Sequence, residues 1–382
     1  MDFSLSPEQE AFVARARQFA GERVAPQAAE IDRTAAYPRE LVTEAAARGL
    51  VAATIPDQWG GAARDYVSYA LAIEAIAGAS ATVAVILAVT NSLVAEPLYE
   101  FGSDEQKRTW LPRLASGEAL GSFALSEEQA GSDAANQQTV ARRDGDEYVL
   151  SGKKVWVANG ERADVAIVFA SADPSVPDRR ITAFLVPLDV PGSTRTPCDS
   201  LGVRGLGCVD LTLADLRLPA SAILGEEGQG FKLALRALEG GRVAIAAQAL
   251  GVGQSALDEA LTYARTHEAF GQPIGHFQAI QFQLADLVTN LEAARLLMWK
   301  AADQHDRVPA APLEAAMAKL QASEAAHAAA DRAMQILASA GYRRGSTIER
   351  LFRDIRAAEI YQGTSEVQRL VIAKQLLGGQ GR

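Results

Sequence analysis

Val165-Ala166-Ile167-Val168-Phe169-Ala170 is an unbroken apolar run of β-branched, aromatic and small residues, in a region where helical periodicity has stopped. A run of this length and composition reads as a strand buried on both faces. Phe123 to Leu125, Tyr148 to Leu150, Val155 to Val157, Thr182 to Val186 and Val209 to Leu216 are of the same kind. They are separated by Gly, Pro and Asp turns such as Asp144-Gly145-Asp146, so this stretch predicts a small all-β unit. On its N-terminal side, Ser6-Pro7-Glu8-Gln9 and Ser103-Asp104-Glu105-Gln106 are capping boxes, in which Ser and Gln side chains satisfy amides left unpaired at a helix start. Between them, helical spacing runs through Phe12, Ala16 and Phe19, then from Pro38 to Gly49, and over residues 65–77 and 80–100. On its C-terminal side, long Ala/Leu/Gln/Glu-rich segments cover residues 231–265, 278–305 and 312–339, with shorter helices near 348–358 and 365–377. The break Val308-Pro309-Ala310-Ala311-Pro312 predicts antiparallel bundle neighbours. The expected order is therefore a helical domain over 1–119, a β domain over 120–229 and a helical bundle over 230–382.

Composition narrows the function. The 382 residues are 48% hydrophobic and 22% charged, which is ordinary for a folded chain. With 37 Lys+Arg against 47 Asp+Glu the net charge is -10, the opposite of the basic footprint that nucleic-acid binding needs. The longest uninterrupted apolar run, Val83 to Val89, is well short of the roughly 20 residues of a membrane span, and Met1-Asp2-Phe3-Ser4 has no basic region ahead of an apolar stretch. The expectation is a cytoplasmic protein with no membrane span. Cys198 and Cys208 are too few for a disulfide framework or a four-cysteine zinc site. His267, His276, His305 and His327 form no His-Glu-x-x-His pattern, so no metal site is expected.

Several motifs carry chemistry by resemblance. Phe123-Ala124-Leu125-Ser126-Glu127 with Gly131-Ser132-Asp133, Phe270-Gly271 before Gln278-Ala279-Ile280-Gln281-Phe282, and Ile360-Tyr361-Gln362-Gly363-Thr364-Ser365-Glu366 are spread over nearly the whole chain. In these the sequence resembles the acyl-CoA dehydrogenase family, its short-chain members above all. The resemblance implies that family's fold: an N-terminal helical domain, a middle β-barrel or sandwich, and a C-terminal four-helix bundle. It also implies a homotetramer that binds FAD and an acyl-CoA or acyl-carrier thioester, with an electron-transfer flavoprotein as electron acceptor. Such chemistry requires a stacking wall for the flavin, donors aimed at flavin and thioester, and a base for the α-proton. Trp156 matches the flavin-covering tryptophan, and Phe123, Leu125 and Ser126 match the motif beside the flavin. Ser132 matches a loop that contacts acyl-CoA and cofactor. Glu239, Arg242 and Gly363 match positions at the substrate. Phe270, Gln278 and Gln335 match positions by which a neighbouring subunit holds the cofactor, and Thr364 and Glu366 match cofactor contacts at a helix N-terminus.

The departures from the family pattern are as specific. Gln362 stands where the family's base is a Glu, and an amide accepts no proton near neutral pH. Gly241 stands where another branch carries its base. Ala158 replaces a threonine that reaches the flavin, and His267 an arginine at the pyrophosphate, which loses a permanent charge and a fork of donors. Ala338-Ser339 replaces a Gly-Gly pair and Glu128-Gln129 a Pro-Gly pair. The expectation is a flavin-dependent oxidoreductase of acyl thioesters whose base is absent or displaced and whose FAD affinity is reduced. The alternative is a flavin-poor thioester-binding protein, a non-redox enzyme or an inactive subunit of a mixed tetramer. On the same helix as Arg242, Glu239 is three residues earlier and placed to pair with it.

Overall fold

The computed structural model describes residues 4–171 and 181–378. The N-terminal helices are α1 (Pro7–Phe19), α2 (Ala25–Thr34), α3 (Arg39–Ala47), α4 (Tyr66–Ala79), α5 (Ala81–Ala88), α6 (Glu96–Phe101) and α7 (Asp104–Ala115). Both capping boxes form as read: Ser6 and Ser103 accept from the amides of Gln9 and Gln106, whose side chains reach back to the cap amides. The stretch read as one helix over 80–100 is interrupted by a π-helical segment, Val89–Ala95. There Asn91 turns inward to donate to Glu96 Oε1 (2.9 Å), while Ser92 meets the hydroxyls of Tyr66 and Tyr69 (3.0 and 2.9 Å). Although Ala81–Phe101 is long and apolar enough to span a membrane, 94% of its most apolar window is buried inside the protein, so it serves as a core helix.

The middle region contains β1 (Gly121–Ala124), β2 (Val140–Asp144), β3 (Glu147–Val157), β4 (Val165–Ser171), β5 (Ile181–Pro187), β6 (Ser193–Pro197), β7 (Val209–Pro219) and β8 (Ile223–Leu224). Strand order is β6-β7-β3-β2-β4-β5-β8, with β1 parallel to β4. Because β2 meets β4 at the single pair Val140–Ser171, the two halves fold over each other as a sandwich. Leu150, Val157, Leu211 and Leu213 of one half meet Ala166, Val168, Phe184 and Val186 of the other. The opposite face of β4, Val165, Ile167 and Phe169, packs on Leu98, Leu111, Leu114 and Leu233 from helices. This explains why its sequence is apolar throughout rather than alternating.

The C-terminal region has α8 (Gly230–Thr266), a short hairpin of β9 (Glu268–Ala269) and β10 (Gln272–Pro273), α9 (Gln278–Arg307), α10 (Pro312–Gly341), α11 (Thr347–Ala358) and α12 (Ser365–Leu376). Helices α8 to α11 pack as the bundle and α12 lies against α10. A Cβ at Gly251 would overlap the Glu74 carbonyl of α4, so these helices touch backbone to backbone.

One buried ion pair fixes the loop that leads out of β1. Lys154 on β3 is fully buried and donates to Glu127 Oε1 (2.7 Å), Gln137 Oε1 (2.9 Å) and the Leu125 carbonyl (3.1 Å). Glu127 also accepts the amides of Gln138 (2.6 Å) and Thr139 (3.0 Å). Burial pulls Lys154 down to about 8 against the attraction of Glu127. Burial pushes Glu127 up, but Lys154 and these donors outweigh it and leave the carboxyl below its ordinary value. Removing one partner strands the other charge in the interior, which costs about 3–5 kcal/mol. Lys154→Met is therefore expected to destabilise the fold by about 3 kcal/mol or more in urea titrations. Adding Glu127→Gln should recover part of that loss, whereas strictly additive effects would refute the coupling.

Candidate active site

The turn between α11 and α12 is built from two consecutive left-handed residues, Gln362 (φ 55°) and Gly363 (φ 96°). Only the second is the residue type that takes this conformation without cost. Gln368, fully buried on α12, donates to the carbonyls of Gln362 (3.3 Å) and Gly363 (2.9 Å), and Lys319 of α10 also donates to Gly363. Since a trans peptide points N–H opposite to C=O, the amides of Gly363 and Thr364 face away from these donors. Among the described residues, the amides of Gln362, Gly363 and Thr364 have no hydrogen-bond acceptor. Successive free amides on a left-handed turn, just ahead of a helix N-terminus, form a concavity suited to negative charge. Thr364 also caps α12, its hydroxyl accepting from Val367 (3.3 Å), and Glu366 is exposed in the first turn.

The Gln362 side chain lies against α8. A Cβ at Gly241 would overlap Gln362 Oε1 and come within 2.9 Å of Leu93, so a long side chain at 362 and any side chain at 241 compete for one volume. Gln362 Oε1 is buried and has no hydrogen-bond partner. Arg242, 5% exposed, has its Nε buried without a partner. Burial lowers its guanidinium, with Glu239 opposing. Lys319 is brought down to about 7 by burial and by Arg242, against Glu359 and Glu366. Glu239 does not pair with Arg242 as its spacing suggested. It accepts instead from Arg236 (3.4 Å) and from the Ala311 amide (3.0 Å), holding the break between α9 and α10 onto α8. Near Gln362 the buried cations Arg242 and Lys319 therefore have no direct ion-pair partner among the described residues, although Glu239, Glu359 and Glu366 attract them at longer range.

On the β side, a bulge between Lys154 and Val157 places Trp156 at φ 56° and leaves it 59% exposed, as a bulge re-aims a side chain out of the sheet. The Ser126 carbonyl accepts from Val155 (2.9 Å) and the Ala158 carbonyl from Ser122 Oγ (3.0 Å). Phe123 meets Phe169 in a tilted ring contact (4.9 Å, 59°), and Phe123, Leu125 and Ala158 line the junction of sheet and bundle. Ser132 is exposed on the neighbouring loop.

The remaining candidates lie at the other end of the bundle. His267 is exposed and stacks on Tyr263 (4.5 Å), Phe270 is 96% exposed at φ 54°, and Gln278 opens α9. Gln335, Ala338 and Ser339 are exposed near the end of α10. Helix rise puts His267 about 37 Å along α8 from Arg242, and Gln335 about 24 Å along α10 from Lys319. One chain therefore does not bring the two sets together.

Lys319 and Glu96 are the site-adjacent residues that sequence reading missed. The available signal for Lys319 was a lone charge amid Ala315, Ala316, Ala318 and Ala322, all buried. Glu96 accepts from Thr54 (2.6 Å), Asn91 (2.9 Å) and Tyr66 (3.1 Å), and burial raises it to about 7.

Family models for the acyl-CoA dehydrogenase N-terminal, middle and C-terminal domains match residues 6–118, 122–216 and 228–377. The chain is 47% identical over 362 residues to the human mitochondrial short-chain specific acyl-CoA dehydrogenase, covering 94% of this chain and 88% of that one. The structure of butyryl-CoA dehydrogenase from Megasphaera elsdenii superposes with a TM-score of 0.95 at 39% identity, covering 99% of this chain and 100% of that one. A glutaryl-CoA dehydrogenase from Mycobacterium smegmatis in complex with FADH2 does so at 0.93 and 33%, covering 99% and 96%. The chain belongs to the acyl-CoA dehydrogenase family of flavin-dependent oxidoreductases, and its cofactor is FAD. The residues present fit that group: an outward-facing Trp156 and a run of free amides at 362–364 offer a flat wall and anion donors.

Ala338 bears on that fit. It holds φ 51° and ψ -128° inside α10, a conformation reserved for glycine that costs another residue about 1–3 kcal/mol. Ala338→Gly is expected to raise stability by about 1 kcal/mol in denaturant titrations and to tighten FAD in a fluorescence titration. A destabilised variant would mean that the bend is not strained.

Proposed function

We propose that this chain is a flavin-linked oxidoreductase of acyl thioesters, carried on CoA or a carrier protein, in which neither family position for the base supplies a carboxylate. The observation that carries the reading is the apposition of Gln362 Oε1 and Gly241: the amide fills the space of both family bases and can take up no proton. Bound FAD supplies a hydride acceptor for the carbon β to the thioester. The chain's own residues do the rest. Trp156 would cover the flavin, the amides of Gly363 and Thr364 receive the thioester oxygen, and the buried charges of Arg242 and Lys319 favour electron density there. These donors acidify the α-carbon but give its proton nowhere to go. The substrates that fit need no α-proton removed, and fast desaturation of a plain acyl-CoA is not expected. Ile86 and Val89 on the helix beneath the sheet–bundle junction are buried and apolar, which suits a short or medium acyl group.

The separation of the two residue sets along the bundle supports a homotetramer, with His267, Phe270, Gln278 and Gln335 presented to a neighbour's cofactor. An electron-transfer flavoprotein is the reading's electron acceptor.

The test is the visible spectrum of the purified protein with and without added FAD, followed by titration with short acyl-CoAs. A flavin band that shifts on acyl-CoA addition but bleaches slowly is expected, and a colourless protein that ignores FAD would overturn the reading. Gln362→Glu restores a proton acceptor and is expected to speed bleaching by butyryl-CoA about 100-fold or more, the usual worth of a positioned base. No gain in the FAD-loaded variant would mean that more than the base is missing.

A further inference from the structure

Lys319 is 0% exposed on a helix face otherwise built of alanine, and among the described residues its ammonium makes one hydrogen bond, to the Gly363 carbonyl. A buried ammonium so sparsely partnered is a poor stabilising device. The groups that face it are Arg242 from α8, which repels it, and Glu359 and Glu366 from the ends of α11 and α12, which attract it without a hydrogen bond. Gln368 bonds the same carbonyl and the one before it. Two buried donors from different helices thus fix two consecutive peptide planes in a turn whose first residue is not glycine.

We propose that Lys319 is a positioning residue for the thioester site: by holding the Gly363 carbonyl on the bundle side, it keeps the amides of the 362–364 turn facing the ligand. This rests on the acyl-thioester reading above. The peptide is rigid and trans, so loss of the Lys319 donor leaves the Gly363–Thr364 plane to Gln368 alone, and the left-handed turn holds its amides less firmly in line. Lys319 touches neither flavin nor substrate in this scheme, and its effect is on ligand geometry rather than on FAD content.

The experiment is a titration of the FAD-loaded protein with acetoacetyl-CoA, an acyl thioester that serves as a non-turnover ligand, read from the shift of the flavin band. For Lys319→Met an affinity at least ten-fold weaker than wild type is expected, with flavin content unchanged. A folded, flavin-loaded variant that binds within two-fold of wild type overturns the proposal, because a merely structural lysine would alter the melting temperature and leave the flavin shift alone. Should Lys319→Met not fold, Lys319→Leu, which also lacks the donor, is measured the same way with the same expected loss. If wild type itself gives no shift, the thioester reading has failed, and the crystal structure of the variant decides on Lys319. A rotated Gly363 carbonyl supports the clamp, and an unmoved one overturns it.

Discussion

Between Glu239 and Gly253, helix α8 has no solvent-facing residue, and the rest of the molecule is arranged around that fact. A helix buried on every side cannot be amphipathic, and where neighbours come close it must give up side chains altogether. Gly240 faces Tyr66 and Glu96, Gly241 faces Gln362, Gly251 faces the backbone of α4, and Gly253 faces Ala326 and Leu291. The same burial forces every polar group on that stretch to find a partner or to lack one conspicuously. Gln248 Oε1 accepts from Tyr361 (2.8 Å), whereas Gln248 Nε2 and the Nε of Arg242 have no partner. The Arg242 donor lies one residue from the glycine that makes room for Gln362, so the packing constraint and the functional site occupy the same turn of helix.

That turn also sets the electrostatics. In a low-dielectric interior a charge is held only by partners or by field, and near Gln362 the buried Arg242 and Lys319 are countered by Glu239, Glu359 and Glu366 without a direct ion pair. The amide at 362 adds no charge to that balance. The free amides of residues 362–364 add positive potential. A site so poised stabilises negative charge on a ligand, which is the electronic half of acyl-thioester activation, while the proton-accepting half is missing from the side chains that line it. The two halves are physically separable because one resides in backbone direction and buried cations, and the other in a single side-chain atom.

How much of this was legible in the sequence follows from the range of the interactions. The strand run at Val165 to Ala170 and the capping boxes at Ser6 and Ser103 are set by local pattern and were readable, whereas the apposition of Gly241 and Gln362 joins two segments distant in sequence. The π-helical segment at Val89–Ala95 was not readable, because it depends on Asn91 and Ser92 reaching partners on α4 and in the 54–55 loop that sequence spacing does not bring together. The pairing of Glu239 failed for the same reason. Spacing offered Arg242 at i+3, but the amide of Ala311, 72 residues away, and Arg236 at i-3 hold that carboxylate. Lys319 was hidden in the opposite way: on an alanine-rich helix a single lysine looks like a solvated charge, and only the docking of the 362–364 turn onto α10 makes it an interior one.

Distance supplies the last constraint. Arg242 and Lys319 lie toward one end of the bundle and His267, Phe270, Gln278 and Gln335 toward the other, because α8 and α10 run the same way and α9 returns between them. No rearrangement short of unfolding brings these ends together, since a helix rises by a fixed 1.5 Å per residue. At the hairpin tip Phe270 is 96% exposed on a left-handed residue. On the proposed homotetramer the far end of each chain would complete the site of another. On that arrangement the substitutions at His267 and at Ala338-Ser339 act on a neighbour's cofactor, while Gln362 and Ala158 act on the chain's own. A flavin site altered on both sides then reflects one sequence contributing twice to every site, and each change is felt at both ends of the assembly.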